Sequence, residues 1–140
     1  MIRKAPLPRG IEERVSTLGE AFARSPEVVF AYLFGGMAKG DINPLSDVDV
    51  AVYLDESADP MRARLKAVGV ATAHLGTDEV DLVVLNTAPA AFIGRILQTR
   101  RVICDREPFR RHRFESLALR RFFDFRILEH RLLARRYARG

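Results

Sequence analysis

Asp47 and Asp49 stand one residue apart at the head of an apolar run. Eleven residues before Asp47, a Gly35-Gly36 pair closes another apolar run. Residues i and i+2 of a strand point to the same side, so the two carboxylates can share one cation. Magnesium prefers carboxylate oxygens and keeps several waters, so two or three aspartates suffice to hold it. Two such ions can clamp the attacking and leaving oxygens of an in-line displacement. Glycines at the end of a strand let backbone N–H groups come close to phosphate oxygens. A phosphate cradle beside paired carboxylates is suited to a nucleoside triphosphate with magnesium. The chemistry it suggests is nucleotidyl transfer.

Three further residues extend the constellation. Asp81 lies in a third apolar run, Glu79-Val80-Asp81-Leu82-Val83. An aspartate in such a run is costly unless it is paired or coordinates something. On a neighbouring strand it would be a third carboxylate of the same site. Lys39 is a point charge near the glycines and could reach a phosphate. Ser46, beside Asp47, could add a hydroxyl. Each feature is commonplace alone: a glycine pair is usually a turn, and D-x-D often a solvated strand edge. In this order and spacing they point together to a nucleotide site.

The elements that must position these residues follow from pattern. Residues 28–34 (VVFAYLF) are continuously apolar, which predicts a buried strand. Residues 35–40 predict a turn leading into a loop or helical turn. Residues 47–54 predict a second strand, with Val48, Val50 and Val52 on one face and Asp47, Asp49, Ala51 and Tyr53 on the other. Residues 79–85 predict a third strand, and 102–105 a short fourth. Helices are predicted over 11–23, over 61–74 with Met61, Leu65 and Val68 inward, and over 88–98. Residues 108–139 predict a long helix whose stripe of Phe114, Leu117, Ala118, Phe122, Phe125, Leu128 and Leu132 should pack on the domain. The first ten residues read as a loose leader. The expected architecture is a single α/β (α+β) domain over 1–140, a small mixed sheet flanked by helices, with a long basic C-terminal helix.

Composition narrows the class. The 140 residues suffice for one domain with one core. The N-terminus lacks the apolar stretch of a secretory signal, and no run is long enough to span a membrane. The one cysteine, Cys104, excludes an internal disulfide and fits a reducing cytoplasm. No Cys/His spacing suggests zinc. Net charge is +5 but unevenly placed. Residues 1–105 carry 12 Lys/Arg against 14 Asp/Glu, whereas residues 106–140 carry 11 Arg against 4 acidic residues. Such an arginine-rich end suggests an acidic partner, protein or nucleic acid.

Gly35-Gly36, ten residues and Asp47-Val48-Asp49 resemble the Gly-Ser…Asp-x-Asp signature of the DNA polymerase β-like nucleotidyltransferase superfamily. More narrowly, three segments resemble the minimal nucleotidyltransferase antitoxins: LFGGMAKGDINPLSDVDVAVYLDE, VDLVVLNTAP and the helix FESLALRRFFDF. Those antitoxins pair with HEPN-domain ribonuclease toxins in two-gene bacterial systems. The resemblance implies a nucleotidyltransferase fold and transfer of AMP from Mg-ATP to a tyrosine of the HEPN toxin, which blocks its ribonuclease. It implies that Asp47, Asp49 and Asp81 hold two magnesium ions, Asp81 also promoting attack by the acceptor hydroxyl. Gly35 and Gly36 correspond to the phosphate loop. A hetero-oligomeric complex with the toxin, in the cytoplasm, is the expected state.

One position departs from the pattern. Gly36 stands where the family has serine, so one hydroxyl donor to phosphate is missing. Losing a charge-assisted hydrogen bond costs roughly 1.5–3 kcal/mol. The expectation is slowed chemistry, and it leaves room for a weakened enzyme that neutralises its toxin by binding. Transfer to a small molecule is a third reading. Aminoglycoside nucleotidyltransferases share the glycine and aspartate pattern but are longer, with a further domain that holds the acceptor.

Overall fold

The computed structural model describes residues 6–40, 45 and 47–138. Helices α1 (Ile11–Ser16) and α2 (Leu18–Ala23) lead into strand β1 (Val28–Phe34), a short helix α3 (Gly35–Ala38) and strand β2 (Val48–Leu54). Helix α4 (Pro60–Leu75), β3 (Val80–Val84), α5 (Ala90–Thr99), β4 (Arg101–Asp105) and α6 (Pro108–Ala138) follow. The four strands form one mixed sheet in the order β3-β2-β1-β4. β1 runs antiparallel to both β2 and β4, and β2 runs parallel to β3. The parallel pair is joined through α4, because parallel neighbours need a long crossover.

β1 is central and covered on both faces, so all seven of its residues are buried. That accounts for its unbroken apolar run. On one face, Val48, Val50 and Val52 pack with Leu18, Phe22 and the inner side of α4. On the other, Phe30, Tyr32 and Ala51 pack with α5 and with Ala118 of α6. The expected alternation of β2 is therefore present, and it places Asp49 on the face that carries α5 and α6. Cys104 is buried in the first cluster, and burial pushes its thiol pKa up, as suits a structural thiol.

Three helical expectations need correction. The predicted helix over 11–23 is two helices, broken at Thr17, whose hydroxyl donates to the Arg14 carbonyl at 3.2 Å. Ile11, Val15, Leu18 and Phe22 are buried as the spacing required. In α4 the inward face is Ala63, Ala67, Ala71 and Leu75, while Met61 and Leu65 are 74% and 67% exposed. Alanines at intervals of four let the helix lie close on the sheet, with Met61 and Leu65 turned outward, while Val68 is half-buried against the same core as expected. Asp59 sets the start of α4 by accepting from the N–H groups of Met61 and Arg62.

The third correction concerns α6. Ala118 and Phe122 are buried and Phe114 packs partly against Phe30 and Tyr53. Leu117, Phe125, Leu128 and Leu132 are all more than two-fifths exposed. The helix has 31 residues, about 46 Å at ~1.5 Å per residue. It outruns the sheet, so the stripe has nothing to cover beyond Phe122. Where α6 does pack it packs tightly: a Cβ on Gly94 of α5 would overlap the Phe122 ring. Among the described residues, no helix is long and apolar enough to cross a membrane.

A buried charge holds α6 down. Glu115 is 5% exposed. It accepts from the Tyr32 hydroxyl at 2.7 Å, pairs with Arg100 at 2.8 Å and pairs with Arg111 at 2.9 Å. Arg111 also reaches Asp105 at 2.8 Å. Burial, then Glu115, push the Tyr32 phenol pKa well up, so it stays a donor. Removing one member of such a group strands the others. Glu115→Ala is expected to lower unfolding stability by about 3 kcal/mol, and Tyr32→Phe by about 1 kcal/mol, read from urea midpoints. An unchanged midpoint for Glu115→Ala would show that the cluster contributes nothing.

Candidate functional site

The candidate site gathers where β1 ends. Gly35 opens α3 with φ of 70°, a left-handed value that other residues avoid. Its N–H donates to the Thr99 hydroxyl at 3.1 Å, which ties the turn to the end of α5. Asp49 faces Phe34 across the β1–β2 ladder. A Cβ on Gly35 would run into the Asp49 carboxylate. Glycine is therefore required here twice, for its backbone and for the carboxylate lying against it.

Asp81 is the register partner of Asp49 in the parallel β2–β3 ladder. Adjacent strands lie about 4.8 Å apart, and paired residues share a face. Asp49 is half-buried and Asp81 exposed. Asp47, half-buried, immediately precedes β2. Gly36 lies in the first turn of α3 with a helical backbone. Apart from the Gly35 N–H, which Thr99 takes, the N–H groups of that turn have no partner within the helix itself and can serve a ligand. Lys39 caps the other end of α3 and is exposed. Ser46 lies outside the described residues.

The structure thus brings Gly35, Asp49 and Asp81 onto one corner of the sheet, with Asp47 and Gly36 adjacent in the chain. Among the described residues, no three His, Cys, Asp or Glu side chains converge closely enough to hold a metal ion by themselves. The donor set still fits magnesium, which is commonly held by one or two carboxylates together with substrate phosphates and water. The absence of a Cβ at Gly35 lets the Asp49 carboxylate lie directly against the turn. Asp47 and Asp49 are the residues that would hold the magnesium.

Sequence reasoning missed the supports of this corner. Thr99 holds Gly35, and its neighbour Arg100 is anchored on Glu115. A polar residue closing an apolar helix was the available signal at Thr99. A groove of about 660 Å³ was also not foreseen. It begins one residue past Asp81 and runs along β3 between α4 and α5, lined by Leu82, Val84, Pro60, Met61 and Phe92. It is largely apolar and lies beside the outermost strand, open to an incoming molecule.

Comparison with known proteins agrees with the fold. The family described as polymerase beta, nucleotidyltransferase, matches residues 16–109. No curated protein matches the chain by sequence. Among solved structures, a chain from the complex of tri-AMPylated Shewanella oneidensis HEPN toxin with MNT antitoxin superposes with a TM-score of 0.61 at 18% identity. The match covers 89% of this chain and 93% of that one. A chain of the toxin–antitoxin MntA-HepT gives 0.60 at 19% identity, covering 91% and 97%. A toxin–antitoxin structure with AMP-PNP gives 0.58 at 23% identity, covering 91% and 93%. At these identities the likeness establishes a shared fold.

Two glycines separate strain from contact. Gly35 and Gly40 both have positive φ, but only Gly35 has the Asp49 carboxylate against it. Alanine at either should cost about 1–2 kcal/mol of stability from the left-handed backbone. Only Gly35→Ala should also displace Asp49 and weaken Mg-ATP binding, measured by calorimetry. Equal loss of binding in both variants would sever Asp49 from the glycine turn.

Proposed function

This chain belongs to the polymerase beta nucleotidyltransferase family, and we propose that it transfers AMP from Mg-ATP to a tyrosine of a cognate HEPN toxin, acting as its antitoxin. The observation that carries the reading is the Gly35–Asp49 contact. It sets a phosphate-binding turn directly against a carboxylate that is in register with another, Asp81. The neighbouring structures support the choice of acceptor, since one contains a tri-AMPylated HEPN toxin and another AMP-PNP.

In the proposed reaction the triphosphate lies along the α3 turn, its oxygens accepting from backbone N–H groups. Asp47 and Asp49, with Asp81 by family pattern, would hold Mg²⁺ (two ions expected), which would supply neutralising charge to the triphosphate. The acceptor phenol oxygen forms a bond to the α-phosphorus while the α–β phosphoanhydride bond breaks, releasing pyrophosphate. The phenol proton passes to Asp81, whose exposed position on the outermost strand lets a bulky acceptor reach it. Lys39 and Ser46 are proposed to add phosphate contacts. The residues used carry no disulfide or thiol chemistry, and a cytoplasmic setting suits the free Cys104.

Gly36 supports a second reading, a weakened enzyme that neutralises its toxin by occlusion. Because Gly36 has a helical backbone, a serine there is conformationally acceptable.

Incubation with Mg-ATP and the HEPN partner should raise the partner's mass by one or more AMP units. Asp47→Asn should slow labelling roughly hundredfold or more. Gly36→Ser should speed it by roughly tenfold, the equivalent of one recovered charge-assisted hydrogen bond. Labelling by Asp47→Asn at the wild-type rate would overturn the metal assignment. Toxin neutralisation without any mass gain would favour occlusion.

A further inference from the structure

The second half of α6 is an unpartnered arm, and its direction is fixed by what the first half touches. Arg110 lies over the Tyr53 ring at 5.3 Å, near the end of β2 farthest from Gly35. Five residues on, Glu115 pairs with Arg100, next to Arg101, which faces Leu33 near the Gly35 end of β1. This part of the helix therefore runs toward the candidate-site end of the sheet, and the free residues continue from Phe122. From Phe123 to Tyr137 this is 15 residues, about 22 Å.

The arm is not a solvated polar helix. Phe125, Leu128 and Leu132 are 43%, 56% and 56% exposed, and they continue the stripe that Phe114, Ala118 and Phe122 bury on the domain. Phe123 and Ile127, 59% and 51% exposed, lie on the opposite side of the helix. Arg126, Arg131, Arg135 and Arg136 flank this surface against Asp124 and Glu129 alone. Large apolar side chains with arginine around them are the composition of protein-binding surfaces.

We propose that this arm docks the acceptor protein through an acidic, amphipathic helical face of that partner; the proposal rests on the acceptor reading of the preceding subsection. A helix laid along the stripe would bury the apolar residues in the helix-in-groove manner. Its acidic flanks would meet the arginines. A second copy of this chain would bring the same arginine excess against itself, which like charges oppose. RNA would satisfy the arginines but leave the leucines and phenylalanines without a role. Because the arm continues from the site-side end of the packed helix, a partner seated on it would be kept near the site, which would raise the effective concentration of its tyrosine.

The test uses the full chain and a HEPN protein encoded beside it. Two double variants change only exposed positions: Leu128→Asp with Leu132→Asp, and Arg131→Glu with Arg135→Glu. Each should weaken HEPN binding by roughly tenfold or more in calorimetry. Thermal melting and Mg-ATP affinity should stay at wild-type values. Wild-type affinity should fall as salt is raised. Unchanged HEPN affinity in both variants overturns the arm. Loss of RNA binding, or of a wild-type dimer, with HEPN affinity intact overturns it in favour of that other occupant. A wild-type chain that neither binds nor labels the HEPN protein overturns the acceptor reading itself, and the arm with it.

Discussion

One buried carboxylate organises this fold. Glu115 sits at the junction of three elements and is satisfied from each. Tyr32 reaches it from the central strand, Arg100 from the end of α5, and Arg111 from its own helix. An ionised group in such a place is tolerated only because its hydrogen-bond capacity is filled. The arrangement fixes more than α6. Arg100 follows Thr99 directly, and Thr99 holds the N–H of Gly35. The glycine turn is thereby tied through two adjacent residues to the ionic centre of the domain. The Gly35 N–H is spent on that tether, which fixes the start of α3 and so the direction of the N–H groups that follow it.

The rest of the corner comes from strand pairing. Register alone sets Asp49 opposite Phe34 on one side and opposite Asp81 on the other. A one-residue slip of β2 would turn Asp49 into the core and Val48 out of it. The same buried valines that stabilise the sheet therefore decide where the carboxylate points. Stability and chemistry are specified by alternate residues of one strand.

Much of this was legible in the sequence because it is local. The run at 28–34, the alternation after Asp47 and the Gly-to-Asp spacing each depend on residues near one another in the chain. Alternation put Asp49 and Asp81 on site-facing sides of their strands, and the parallel register that pairs them came from the assembled sheet. What was not legible depends on distance. Residues 32, 100 and 115 have no pattern in common until the sheet and two helices are assembled. The inward face of α4 was misread because size was taken as the guide to burial. Close packing against a sheet selected alanine, and Met61 and Leu65 were left outside. In α6 the stripe was real but the surface beneath it ended at Phe122. Periodicity reports that a face is apolar and says nothing about which molecule covers it.

The position of Asp81 carries a consequence beyond its proposed use as a base. β3 is an outermost strand of the sheet, and its free side offers backbone groups that another strand could pair with. Its other residues, Val80, Leu82, Val83 and Val84, are all β-formers or apolar. An exposed charge within such a strand discourages edge-to-edge stacking between copies of the chain. The aspartate proposed as a base thus also suits an edge strand that must not stack, so one side chain meets both requirements at one position.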